Sequence, residues 1–223
     1  IDEDFPLEPK WAYPQSKAET EAVVRAEHDD IPAVILRIAG VYNEEGGIPT
    51  LAHQIQRIYE RQWMSHLFPG DSSHGQAAVH IDDVAAAFRQ TVTRRDRLPN
   101  ESTFLIGEPE TDSYASLQDL IGRNLHGQGW LTREIAKPVA AGGAWAQDKL
   151  EEIVPDSIDH GIKPFIRPFM AELADDHYEL DISHAEEQLD WRPQHRLRDE
   201  LPKMLGSLKQ DPITWYERNH LPV

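Results

Sequence analysis

A short apolar run constrains the fold of this chain more than any other feature. Residues 33–38 read AVILRI, with one arginine among apolar side chains, and Gly40 follows shortly after. A nearly unbroken apolar run that ends close to a glycine is typical of a strand buried on both faces of a parallel sheet. Such a strand needs a neighbour on each edge, so the sequence predicts a parallel sheet with further strands around this one.

Helices and strands alternate along the rest of the chain. An apolar stripe predicts a helix over residues 14–28, and GGIPTLAHQIQRIYE (46–60) indicates a loop that leads into a second helix. Residues 77–92 predict a strand followed by a helix capped near Asp82, and residues 102–107 predict another strand. Ser–x–x–acid patterns at Ser116 and Ser183 predict two more helix starts. This alternation favours an α/β fold.

Two parts of the chain depart from a complete, regular α/β pattern. The predicted strands are too few for a whole sheet around residues 33–38, which indicates that the chain is part of a larger fold. Residues 130–176 are irregular and rich in proline, tryptophan and phenylalanine. We predict helical pieces of a variable lobe there.

Composition excludes several classes of function. Lysine and arginine total 22 against 39 acidic residues, giving a net charge of -17 that would repel a nucleic-acid backbone. The absence of cysteine excludes disulfides and thiolate chemistry, and is compatible with a cytoplasmic protein. None of the eleven histidines forms a His-x-x-x-His or His-Glu-x-x-His pattern, so we predict no metal site. No apolar run approaches the roughly 18 residues that a membrane span needs, and we predict no membrane segment.

Tyr13 and Lys17 form the strongest candidate for chemistry. They stand four residues apart in WAYPQSKAETEAVV (11–24), and residues at this spacing share one face of a helix. The phenol of a free tyrosine ionises near pH 10, and a neighbouring ammonium favours the phenolate. The same ammonium can bind the vicinal hydroxyls of a ribose. The pair therefore predicts an acid/base site beside a sugar, although by spacing alone it could also be an ordinary exposed surface pair.

The order of the following segments carries a family resemblance. After the Tyr–Lys pair come VILRIAGVYNEEG, FPGD, VHIDDVAAAF, TFLIGEP and HYELDISHAEEQLDWRP. In this order they resemble the extended short-chain dehydrogenase/reductase family, also called the NAD-dependent epimerase/dehydratase family. The resemblance implies a partial Rossmann-like fold, a doubly wound parallel sheet with a mostly helical C-terminal substrate lobe. Residues 1–110 would belong to the dinucleotide-binding domain and residues 111–223 mainly to the substrate lobe.

The family's Gly-rich dinucleotide loop is missing from this sequence. No Gly-x-x-Gly-x-x-Gly pattern occurs, whereas family members carry it in the turn after their first strand. The resemblance therefore covers the later part of the family's domain and implies a partner, the N-terminal Rossmann half. We interpret the chain as a fragment that would bind NAD or NADP weakly and be inactive by itself.

The same resemblance implies roles for five residues. Tyr13 would be the catalytic acid/base, and Lys17 would assist it and bind the nicotinamide ribose. Gly40, Val41 and Tyr42 would pass close to the nicotinamide end of an NAD or NADP cofactor. For residues 80–83, and for Trp191 in LDWRP, we predict structural roles in capping and packing.

The resemblance leaves the reaction open. Nucleotide-sugar members often have asparagine where this chain has Gly40, and an Arg-Asp-Phe-like stretch where it has QAAVHI (76–81). A simple carbonyl reductase or dehydrogenase is thus as compatible as an epimerase or dehydratase, each with a small-molecule substrate. A non-catalytic dinucleotide sensor is the alternative. The helix of Tyr13 and Lys17 could also form a homodimer interface, as it often does in this family.

Overall fold

The structure, a computed structural model, describes residues 1–135 and 176–223. Its helices are α1 (Ala12–Glu27), α2 (Pro49–Tyr59), α3 (Ile81–Arg94), α4 (Tyr114–His126), α5 (Ser183–Leu189), α6 (Leu197–Gln210) and α7 (Pro212–Arg218). Its strands are β1 (Ala33–Ile38), β2 (Gly40–Tyr42), β3 (Leu67–Pro69), β4 (Ala78–His80), β5 (Glu101–Ile106) and β6 (Arg133–Ile135). Short 3₁₀ helices span Trp63–His66 and Arg95–Arg97. The predicted α/β class is confirmed, while most of the predicted variable lobe lies outside the described residues.

The chain forms two compact units that interleave along the sequence. The first comprises Ile1–Asn43, Gln76–Thr111 and Tyr178–Asp199, and the second comprises Glu44–Gly75, Asp112–His177 and Glu200–Val223. The predicted boundary at residue 110 concerned cofactor and substrate roles, which packing does not test. It remains a prediction.

Parallel strand pairs organise the first unit. β1 pairs with β5 from Ala33 opposite Glu101 to Ile38 opposite Ile106, and β2 pairs in parallel with β4. β1 was predicted to be buried on both faces, but its residues are half-buried and Ile38 is exposed. The reason is that, within the described ranges, β5 is the only strand on β1, so one edge of this apolar strand has no neighbour.

Helices pack on both faces of the β1–β5 pair. Side chains alternate across a strand with period two. Arg37 and Thr103 point to the face that contacts α1, whereas Phe104 and Ile106 join a buried cluster with residues from α3 and α5. That cluster consists of Val79, Val84, Ala87, Phe104, Leu105, Ile106, Ile182, Ala185, Leu189 and Trp191.

The second unit is mostly helical. α2 packs against α4, and β3 pairs in parallel with β6. Trp130 is buried, donates from Nε1 to Ser65 Oγ at 3.1 Å and stacks on His66 with ring centroids 4.5 Å apart. Its other large buried side chains include Ile55, Ile58, Ile121, Leu201, Met204, Leu205 and Leu208.

Two helix starts, those of α4 and α5, differ from the sequence prediction, and the cap of α3 lies near Asp82 as predicted. α3 is capped by the side chain of His80, which accepts from the Asp82 backbone N–H, and not by Asp82. α4 is capped by Ser113, three residues before the predicted Ser116. At α5, the backbone N–H of Ser183 donates to the carboxylate of Asp181 at 3.0 Å. In each case, a polar side chain slightly earlier in the chain reaches the free N–H groups of the first turn.

Candidate active site

Tyr13 and Lys17 lie together on the first turns of α1. The helix begins at Ala12, so Pro14 falls in the first turn, where its missing N–H leaves no helical hydrogen bond unmade. The Lys17 Nζ lies 5.2 Å from the centroid of the Tyr13 ring, within the range of a cation–π contact. The Tyr13 side chain is 66% exposed and can therefore meet a ligand from solution. The predicted proximity of phenol and ammonium is present.

An ion-pair network fixes α1 on the sheet. The Glu21 carboxylate accepts hydrogen bonds from Arg37 on β1, at 2.6 and 3.2 Å, and from Arg25 at 2.9 Å. Arg25 also donates to Thr103 Oγ1 on β5 at 2.7 Å. The hydrogen bond from Arg37 is the main reason that the pKa of Glu21 is lowered from its ordinary value of 4.5. Glu21 therefore stays ionised near neutral pH and ties the helix to β1, while Arg25 ties it to β5.

These contacts also give the level of Tyr13 along the sheet. Arg25 reaches Thr103, which pairs with Ile35, and Glu21 reaches Arg37. A step of four residues along α1 therefore matches a step of two residues along β1. This ratio is expected, because a helix rises about 1.5 Å per residue and a strand about 3.3 Å. Continuing this ratio places Lys17 level with residue 39 and Tyr13 level with Val41. This extrapolation predicts that the pair lies near the carboxyl end of β1, the side of a parallel α/β sheet where ligands bind.

β2 follows at this same end and carries the other predicted cofactor residues. Gly40 donates its N–H to Ala77 at 3.1 Å, and Gly40 and Val41 are half-buried. Tyr42 is 1% exposed, and its hydroxyl donates to Glu108 Oε1 at 2.9 Å. The Tyr42 side chain therefore belongs to the interior. Contact between this segment and a cofactor would fall on Gly40, on Val41 and on main-chain atoms.

Glu108 is a buried partner of the β2 segment that the sequence analysis missed. It is 6% exposed, and besides the Tyr42 hydroxyl its two carboxylate oxygens accept the N–H of Leu197, each at 3.1 Å. Leu197 is the first residue of α6, so the carboxylate also neutralises free N–H groups and the positive dipole end of that helix. The available signal was an acidic residue directly after a strand and a glycine, in LIGEPE.

The segment around residues 80–83 has the predicted structural role. Asp83 is 2% exposed and accepts the backbone N–H of Gln194 at 2.9 Å and of His195 at 3.0 Å. The indole N–H of Trp191, which is buried as predicted, donates to the Asp83 carbonyl at 2.9 Å. These bonds join the start of α3 to the segment before α6.

Among the described residues, His80, Asp82 and His195 have ligand atoms within 4.8 Å of one another. The two imidazole rings are stacked, with centroids 4.1 Å apart and an angle of 24° between planes. A metal ion binds in the plane of an imidazole, and two nearly parallel planes do not meet at one ion. The geometry gives no support to a shared metal, and the absence of a metal site stays a prediction.

Comparison with known proteins agrees with the resemblance seen in the sequence. Residues 1–107, a little less than half of the chain, match the family model described as the NAD dependent epimerase/dehydratase family. No curated protein matches the chain in sequence.

Solved structures of enzymes share the fold. UDP-glucose 4-epimerase from Thermotoga maritima is 18% identical with a TM-score of 0.63, covering 94% of this chain and 57% of its own. UDP-glucuronic acid 4-epimerase from Bacillus cereus, in complex with NAD, is 19% identical with a TM-score of 0.65, covering 94% and 56%. dTDP-glucose 4,6-dehydratase from Bacillus anthracis, also in complex with NAD, is 14% identical with a TM-score of 0.66, covering 97% and 57%. The chain thus spans little more than half the length of these structures, and its parallel α/β architecture is theirs.

No helix in residues 1–135 or 176–223 is long and apolar enough to cross a membrane.

Proposed function

We propose that this chain carries the catalytic acid/base and the substrate-facing part of an NAD(P)-dependent epimerase, dehydratase or related oxidoreductase. The observation that carries the proposal is the Tyr13–Lys17 pair, with the ammonium over the ring, on a helix that packs on the parallel strands β1 and β5. The family match over residues 1–107 and the NAD complexes of similar structures support a nicotinamide dinucleotide as cofactor. NAD and NADP are equally compatible with the residues present.

The residues fit the nicotinamide end of such a cofactor. Gly40 has no side chain to block a ring that approaches the end of β1, and Lys17 offers an ammonium for ribose hydroxyls. The dinucleotide, when bound, would accept or return a hydride at C4 of its nicotinamide. Tyr13 would take the hydroxyl proton of the substrate as that hydride leaves the adjoining carbon, and would return it in the reverse step. Lys17 would favour the phenolate that accepts the proton.

We further propose that the phosphate-binding half of the cofactor site comes from polypeptide outside these residues. The sequence contains no Gly-rich phosphate loop, and within the described ranges one edge of β1 carries no strand. A Gly-rich β–α–β half could add a parallel strand to that edge and supply the missing loop. By itself, the chain should then bind dinucleotide weakly and show no turnover.

Two substrate classes are compatible with the residues present, nucleotide sugars and simple carbonyl compounds. The similar structures include enzymes of UDP- and dTDP-sugars, whereas Gly40 and the QAAVHI stretch depart from the pattern of nucleotide-sugar members. The second candidate function is a dinucleotide sensor without chemistry. Retention of both Tyr13 and Lys17 at an exposed position favours the enzyme.

The test supplies this chain with the polypeptide encoded immediately upstream of Ile1. Titration with NADH and NADPH measures binding, and panels of UDP-sugars, dTDP-sugars and simple carbonyls measure turnover. We expect dinucleotide-dependent turnover of at least one panel, lost in Lys17→Met and kept in Lys10→Met, an equally simple change outside α1. Tight dinucleotide binding with no turnover on any panel would instead identify a sensor.

A further inference from the structure

The two edges of the β1–β5 pair differ in how they are covered. In a parallel pair, alternate residues of each strand direct their backbone N–H and C=O groups to the neighbouring strand, and the residues between them direct theirs away. The Ala39 N–H donates to the Ile106 carbonyl at 2.9 Å, which fixes this alternation. The N–H groups of Val34 and Leu36 therefore point to the outer edge of β1, and the N–H of Leu105 points to the outer edge of β5.

A carboxylate occupies the outer edge of β5. Leu105 donates its N–H to Oε1 of Glu3 at 2.9 Å, and the Glu3 side chain is 15% exposed. The Glu3 backbone is held as well, since Arg37 on β1 donates to the Glu3 carbonyl at 2.7 Å. The carboxylate oxygen thus fills the place that a backbone carbonyl of a further strand would take.

Other groups cover both ends of this edge. Beside Glu3, the Ile1 carbonyl accepts the Asp181 N–H at 2.8 Å, and Ile1 packs partly buried against the apolar cluster of the first unit. At the start of β5, the guanidinium of Arg25 pairs with the carboxylate of Glu101. Charged side chains and short covering segments of this kind prevent strand pairing at the edges of natural sheets.

The outer edge of β1 carries no comparable cover. Within residues 1–135 and 176–223, no strand other than β5 pairs with β1. The Val34 and Leu36 side chains are apolar and pack, partly buried, against the cluster of the first unit. An unpaired strand edge without charged side chains is a template on which another strand can form.

Strand addition at β5 would require an exchange that β1 does not require. The incoming strand would take the Leu105 N–H from Glu3 and leave a largely buried carboxylate without this donor. Hydrogen bonds to a carboxylate are stronger than those between neutral groups, and a buried polar group that loses its partner costs free energy. The same strand therefore gains more at β1 than at β5.

We propose that Glu3 closes the outer edge of β5 to strand addition and so directs a further strand to β1. The partner that fits the β1 edge is an extended segment, parallel to β1, from polypeptide outside these residues. This partner rests on the proposed function, which completes the cofactor site from the same side. The closure of β5 by Glu3 does not depend on catalysis.

Amide hydrogen exchange of the 223-residue chain tests the closure. Glu3→Ala should speed exchange at Leu105 by at least about 10-fold, whereas exchange at Ile106, on the inner side of β5, should change by less than about twofold. Glu3→Gln keeps an acceptor oxygen and should retain most of the protection. The matched control is Glu8→Ala, an exposed acid of the same segment. Unchanged exchange at Leu105 in Glu3→Ala, or an equal change at both amides, would overturn the closure.

Sedimentation equilibrium tests whether Glu3 keeps strands away. Two opened β5 edges can pair with each other in antiparallel orientation about a two-fold axis. Glu3→Ala should therefore associate with itself at least about 10-fold more strongly than Glu8→Ala. Equal association constants for the two variants would contradict a role of Glu3 in closing the edge.

Hydrogen exchange in the protein supplied with its upstream polypeptide tests the choice of edge. Exchange at Val34 and Leu36 should slow by at least about 10-fold relative to the chain alone, while exchange at Leu105 should stay within about twofold. Protection gained at Thr103, on the outer edge of β5, and not at Val34 and Leu36 would contradict the choice. The expected pattern supports the edge assignment even in a protein without turnover, so this inference and the proposed function fail separately.

Discussion

Replacement of Glu108 by alanine should strongly destabilise the first unit. The change removes the acceptor of the Tyr42 hydroxyl and of the Leu197 N–H. Tyr42 is 1% exposed and Leu197 5% in the wild-type chain, so both donors lie in the interior when they lose the carboxylate. Hydrogen bonds to a charged group contribute about 1.5–3 kcal/mol each, which predicts a total loss of about 3–6 kcal/mol. That is a large fraction of the stability of a typical domain.

A double-mutant cycle with Tyr42→Phe isolates one of the two bonds. Tyr42→Phe removes the hydroxyl and keeps the ring in its edge contact with His80. If the hydroxyl matters through Glu108, Tyr42→Phe should cost about 1.5–3 kcal/mol less in the Glu108→Ala background than in the wild type. The difference between these two costs is the coupling energy of the pair.

Native-state hydrogen exchange provides the assay. The amides of Phe104 and Ile106 lie in β5 and report the opening of the first unit separately from the second. Their protection should fall by the predicted amounts in each variant. Additive effects of the two substitutions, within about 0.5 kcal/mol, would refute the inference that Glu108 holds Tyr42.

Three further predictions follow from packing and charge. Gly122→Ala should lower the free energy of unfolding in urea by about 1–3 kcal/mol, because the new Cβ would lie 2.6 Å from Cβ of Trp130. Gly206→Ala is the control: its Cβ would have no atom within 4 Å, so this change should raise the free energy of unfolding by up to about 1 kcal/mol. Because Arg37 lowers the pKa of Glu21, the attachment of α1 should be complete above about pH 4.5 and should weaken as the pH falls through the lowered pKa. In Arg37→Met, the midpoint of an NMR titration of the Glu21 carboxyl should move to higher pH, and an unchanged midpoint would contradict the pairing. Raising salt from about 0.1 to about 1 M, which shortens the Debye length from about 10 to about 3 Å, should raise the Tm of this chain of net charge -17, and a falling Tm would contradict net self-repulsion.

Local patterns were sufficient to predict the elements that position the candidate site. The apolar run at residues 33–38 predicted β1, and helical periodicity predicted α1 with Tyr13 and Lys17 on one face. Both signals lie within one turn or one short segment, so they depend on neighbouring residues alone. The β3–β6 pair was not predicted, because β6 reads REI, with two charged residues and no apolar run to mark it as a strand.

Long-range contacts explain what the sequence could not show. Glu108 lies 66 residues from Tyr42 and 89 from Leu197, so no local pattern connects them. The cap of α3 was predicted only as lying near Asp82, because His80 is not among the usual capping residues and its ring reaches the free N–H from a buried position. Half-burial of β1 likewise depends on which strands pair with it.

The most direct test of the catalytic role concerns the Tyr13 hydroxyl. In the protein supplied with its upstream polypeptide, Tyr13→Phe should lower kcat by about 10²–10⁴-fold, the usual contribution of general acid/base catalysis. The dissociation constant for the dinucleotide should stay within a few-fold. The matched control is Tyr59→Phe at the end of α2, which removes the hydroxyl of another tyrosine and should leave kcat unchanged. A Tyr13→Phe enzyme with near-normal kcat would contradict the assignment of Tyr13 as the acid/base.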